Sequence, residues 1–239
     1  MINQEIDLTT KDGLMNTFIT YPEENGPHPI LIFLMDAWGK REELHDMARR
    51  FGTAGYYVIL PNLYYRRTRE FFRDESNTEE MFQHMNSLTN ALVCEDIQIL
   101  FDYLKTDKNA RLGKCGCIGY CMSGPFAFSA AAKFPELITA AASIHGIRLF
   151  TDDKDSPHLT AKDIKGEIYF GCAETDEYAP KEMIDSLDKY LSNIGINYRI
   201  EWYPGAIHGF VFPSRIERFN KESAERHWER MLAMLARCL

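Results

Sequence analysis

The chain has 239 residues, 45% hydrophobic and 26% charged, a balance that builds a core and excludes a disordered tail. Its net charge of −8 and isoelectric point near 5.4 argue against phosphate backbones, and so against nucleic acid as a partner. No apolar run approaches the roughly 20 residues that span a bilayer, and six cysteines behind an N-terminus with no secretory pattern read as free thiols of a cytoplasmic protein.

Residues 2–8 and 14–20 read as two short strands around the turn at Lys11, Asp12 and Gly13. Prolines 22, 27 and 29 then punctuate the chain before the continuous apolar run Ile30 to Met35. Such a run fits a strand buried on both faces of a parallel sheet. A helix is expected from about Arg41 to Ala54, with Leu44, Met47, Ala48 and Phe51 on one face and Gly55 as its stop. Tyr56 to Leu60 is a second buried strand, followed by a polar, arginine-rich loop to about Asn77 and one long helix to about Lys105.

Further strands are expected at 114–119, 140–144, 167–171 and 198–203. They alternate with helices at 122–134, 180–194 and 214–239. Strand–helix alternation specifies an α/β fold, a mostly parallel central sheet with helices on both faces. No repeat, low-complexity tract or long linker divides the chain, so one domain over 1–239 is expected.

The most informative segment is Lys114 to Gly124, a strand, a tight turn of small residues, and a helix. Cys121 sits at the turn, with the small residues Gly119 and Ser123 two positions to either side. This is the context of a nucleophile elbow, with cysteine where serine often stands, and it implies the α/β-hydrolase fold. A helix N-terminus behind the thiol favours the thiolate, and the Met122 backbone N–H points to where an oxyanion would form. Cys115 and Cys117 lie within the strand and read as core.

In that fold an acid and then a histidine follow the nucleophile along the chain. Asp176, in the acidic loop after the strand ending near Gly171, and His208, in the loop after the last strand, fit that order. All three fall at the carboxyl ends of strands, where open α/β sheets build their sites. His145 also follows a strand and is the competing base, or a residue that lines the pocket.

At these residues the chain resembles the dienelactone hydrolase family. The likeness rests on Gly119 to Gly124, on Asp176 to Pro180, on Ala206 to Phe210, and on Met35 to Gly39, and it extends from about residue 6 to 236. It implies Cys121 as nucleophile, His208 as base and Asp176 as the residue that orients it, with the backbone N–H groups of Met122 and Ala37 as oxyanion hole. In the family a glutamate tunes the resting thiol at the position of Asp36. Glycine is usual at the position of Ser123, and an arginine that grips the substrate stands at the position of Phe212.

The expected reaction is cleavage of a small-molecule carboxylic ester or lactone by acyl transfer to sulfur, without a metal or organic cofactor. A monomer or small homo-oligomer would suffice. Arg66, or one of Arg67, Arg69 and Arg73 in the same arginine-rich loop, is the candidate to hold a substrate carboxylate, with Tyr64 or Tyr65 packing on an unsaturated ring and His145 and Phe210 lining the site. Two other classes compete: a non-catalytic binding protein on the same fold, and a thiol redox or metal protein using Cys115, Cys117, Cys121 and Cys172. The latter lacks any Cys-x-x-Cys spacing.

Overall fold

The structure, a computed structural model, describes residues 1–239 apart from the side chain of Glu75. Strands β1 (Ile2–Thr10) and β2 (Gly13–Tyr21) pair antiparallel around a tight turn. Gly13 closes that turn at φ +136°, a value that side chains resist. The apolar run from Ile30 lies in β3 (His28–Leu34), which lies between β4 (Tyr57–Pro61) and β5 (Ala110–Tyr120). With β6 (Ile138–Ile144), β7 (Glu167–Thr175) and β8 (Tyr198–Ile207) they form one eight-stranded sheet. Its order is β1-β2-β4-β3-β5-β6-β7-β8, parallel from β4 onward.

Helices α1 (Glu42–Thr53), α2 (Thr78–Asn86), α3 (Asn90–Leu104), α4 (Gly124–Lys133), α5 (Lys181–Ile194) and α6 (Lys221–Cys238) cover both faces. Alternation along β5 makes this explicit. A side chain on Gly116 would meet Leu235 of α6, whereas neighbouring Cys117 lies close enough to Cys94 of α3 to feel its charge. Among the described residues, no helix is long and apolar enough to cross a membrane.

Two expected helices are corrected. The long helix up to residue 105 is broken into α2 and α3 at Ser87–Thr89, because the Thr89 hydroxyl accepts from Leu92 N and starts a new helix there. The last helix begins at Lys221 instead of Ser214. Turns closed by Arg215 N to Phe212 O and Arg218 N to Arg215 O fill the interval, and the Asn220 side chain caps α6. Strands β7 and β8 also run four residues further than their apolar cores suggest, to Thr175 and Ile207.

Candidate active site

Four parallel strands deliver four side chains to one edge of the sheet. Cys121 follows β5, His145 follows β6, Asp176 follows β7 and His208 follows β8, each as the first residue past the strand. Cys121 turns at φ +53°, a left-handed conformation that costs a non-glycine residue free energy and persists only where its surroundings impose it. They do so here. A Cβ on Gly119 would stand 2.0 Å from the Ser123 carbonyl oxygen, so the chain can double back only with glycine at 119. The Ser123 hydroxyl, fully buried, donates to the Met35 carbonyl and ties the elbow to the end of β3.

His208 Nε2 lies 3.1 Å from Cys121 Sγ, and its Nδ1 lies 2.8 Å from Asp176 Oδ2. The three sequence candidates are therefore brought into one hydrogen-bonded line. Asp176 Oδ1 also accepts from Tyr178 N and Ala179 N, so its own loop holds it in place. Burial pulls the His208 imidazole down, but the facing Cys121 sulfur and the Asp176 carboxylate outweigh it and raise it to about 9. Burial pushes the thiols of Cys94, Cys115 and Cys172 up to about 12. All six cysteines are unpaired, and among the described residues no cluster of His, Cys, Asp or Glu is arranged to hold a metal ion.

His208 sits between two rings, Tyr178 and His145, each with its centroid 4.8 Å away. His145 is buried with φ +39°, and neither ring nitrogen has a hydrogen-bond partner. Burial, reinforced by His208, holds it well below the ordinary imidazole range, so it is neutral packing beside His208. Phe210 is fully buried, tilted against Tyr203 and edge-on to His145; it is not among the residues that line the cavity.

Asp36 is completely buried, and its carboxylate pairs with Arg41 and Arg215. Burial alone would raise it, but the two guanidiniums hold it below the usual carboxylate range. Asp36, the candidate to tune the thiol, thus directs its carboxylate to two arginines and not to sulfur. The adjoining turn is closed by Gly39 N to Asp36 O, and the Tyr64 hydroxyl donates to the Ala37 carbonyl. Tyr64 therefore braces the turn at Ala37.

A cavity of about 200 Å³ opens over Cys121, His208 and Ala37. Trp38, Met81, Phe82 and Met85 give it apolar walls, and Arg73, Arg215 and Arg218 give it charge. Arg66 and Tyr65 are not among its walls. The Arg66 guanidinium is held by Asp12 and by both oxygens of Asp96, and the Tyr65 hydroxyl also donates to Asp96. Of the four loop arginines, only Arg73 reaches the cavity.

Sequence reasoning missed Arg215 and Arg218. The arginine sought at position 212 is Phe212, but the Arg215 guanidinium lies over that ring at 4.4 Å and over Trp38 at 4.0 Å. A cation three residues on occupies the neighbourhood, and its stacking partners were the only signal available. The Nε–H groups of Arg73 and Arg215 are both buried without a partner.

The sequence model of the Dienelactone hydrolase family matches residues 15–239. A provisionally named carboxymethylenebutenolidase of Yersinia pestis is 29% identical over 239 residues, covering 95% of this chain and 85% of its own. One of Synechocystis is 25% identical over 236 residues, covering 91% and 95%. Among solved structures, a protein of Klebsiella pneumoniae provisionally described as a dienelactone hydrolase superposes with a TM-score of 0.86 at 24% identity, covering 98% of both chains. The dienelactone hydrolase-like promiscuous phosphotriesterase P91, from metagenomic libraries, superposes with a TM-score of 0.84 at 17% identity, covering 99% and 98%. These two likenesses are of fold.

Proposed function

This chain belongs to the dienelactone hydrolase family, and on that premise we propose that it cleaves a carboxylic ester or lactone with Cys121 as nucleophile, His208 as acid and base, and Asp176 orienting His208. The observation that carries the reading is the line Cys121–His208–Asp176, with contacts of 3.1 and 2.8 Å. The raised His208 favours an imidazolium facing sulfur, the charge state from which a thiolate attacks.

The Cys121 sulfur attacks the carbonyl carbon and forms a C–S bond. The oxygen gains negative charge opposite the backbone N–H groups of Met122 and Ala37. As the C–O bond breaks, His208 Nε2 gives its proton to the leaving oxygen. The now neutral imidazole takes a proton from water, the hydroxide attacks the thioester, and the C–S bond breaks to release the acid. Asp176 keeps the proton on Nδ1 and stabilises the imidazolium. Asp36 acts at one remove, since it fixes Arg215, whose charge lies near enough to feel the Cys121 sulfur.

A substrate carboxylate is the natural partner for the cavity's cations. Arg73 and Arg215 each present a buried, unpartnered Nε–H, and two such donors beside one carbonyl site suit an acidic ester or lactone. The test is a panel of enol lactones and aryl esters assayed with wild type and Cys121→Ala. Turnover that disappears in the variant is expected. Turnover that survives Cys121→Ala removes cysteine from the mechanism, and a panel without any turnover returns the protein to a binding role.

A further inference from the structure

The cavity over Cys121 has a neighbour. A second chamber, of about 400 Å³, adjoins it and is twice its size. Met85 and Ile147 line both, and so form the boundary that the two share. That boundary is tied to the elbow, because Ile147 N donates to the Cys121 carbonyl at 3.2 Å. Met122, the residue after Cys121, lines the second chamber with Leu88, Pro125, Phe126 and Pro157, so its inner walls are apolar. Arg148, Lys154, Asp153 and Asp155 give it a polar side of mixed charge, with Thr151 among them.

The two chambers differ in what they hold. His208, Tyr178, Arg215 and Arg218 line only the first, and Met122 only the second. During cleavage the leaving oxygen must face His208 Nε2. The arm that points away from His208, past Met85 and Ile147, is then the acyl arm. We infer that the second chamber is an acyl-binding subsite, and that the enzyme takes esters whose acyl group is an extended apolar chain instead of only compact lactones. This rests on the reading of Cys121 as nucleophile. Each methylene buried there should raise kcat/KM up to about fourfold until the chamber is filled.

The experiment keeps the leaving group fixed and varies the acyl arm, using p-nitrophenyl acetate, butyrate and octanoate. The wild type should prefer octanoate over acetate at least about tenfold in kcat/KM. Thr151→Trp and Lys154→Trp each put an indole into the chamber, and the exposed Lys154 position accepts it without disturbing the core. Each folded variant should reduce the octanoate-to-acetate ratio at least about fivefold. A wild type that prefers acetate, or a ratio unchanged in a folded Lys154→Trp, overturns the acyl subsite. Acetate turnover that Cys121→Ala abolishes sustains the hydrolase reading separately, and turnover indifferent to that variant overturns both.

Discussion

Two arginine-bearing segments put their charge to different use. Residues 62–77 are the more conspicuous, yet Arg66 is held by Asp12 and Asp96 and Arg69 by Asp7, and of their four arginines only Arg73 reaches the cavity. Residues 205–218 look unremarkable, yet they carry His208 and put Arg215 and Arg218 at the cavity. The difference lies in distant partners. Asp96 is 30 residues from Arg66, while Arg215 shares Asp36 with Arg41 and keeps one donor unpaired. Local density of arginine says little about which guanidinium is free to meet a ligand.

The largest effect separating the two segments is chemical. His208→Ala should lower kcat at least about a hundredfold with the fold retained, whereas Arg66→Ala should leave kcat within about twofold. A His208→Ala enzyme with near-normal turnover would erase the contrast. Labelling sharpens the same point. Limited iodoacetamide treatment followed by peptide mass spectrometry should find Cys121 first, because Cys94, Cys115 and Cys172 are pushed up to about 12 by burial.

Next in size is binding. Arg215→Ala should raise KM for an acidic ester about tenfold or more and change KM for its methyl ester far less, with Arg41 still pairing Asp36. Equal effects on the two substrates would show Arg215 to be structural, like Arg66. The pH profile is a smaller test. His208 is raised from 6.5 to about 9, so its proton is held through neutrality and lost as pH rises through about 9. Acylation needs that proton, so kcat/KM should have an alkaline limb near pH 9. Removing the carboxylate in Asp176→Asn should move the limb down by about one unit. By linkage, the pair's stability is full below 6.5 and disappears through the same window. The smallest kinetic effect belongs to Arg66→Ala, which strands the buried Asp96 and should cost about 3 kcal/mol in urea unfolding while the kinetics stay level.

The sheet was legible because Ile30 to Met35 and Tyr56 to Leu60 are continuous apolar runs that only a doubly covered strand can use. The line of Cys121, Asp176 and His208 was legible because chain order and strand ends are local properties. What escaped was set by contacts across the fold. Thr89 looks like any mid-helix residue until its hydroxyl caps α3. Asp36 carries no local sign that Arg215, 179 residues away, will take its carboxylate. His145 was readable as a base from its place after a strand, and only its burial beside His208 assigns it to packing.

The bend at Cys121 has a consequence for what the scaffold could carry. Its shape is dictated by Gly119 and by the Ser123 hydroxyl on Met35, not by sulfur. Exchanging Cys121 for serine would alter one atom and leave the frame standing. It would also remove the sulfur that does most to raise His208, so the imidazole would give up its proton at a lower pH. The same scaffold would then run in reverse electrical order, needing its histidine as a base before attack, and its rate would climb with pH where the cysteine form declines.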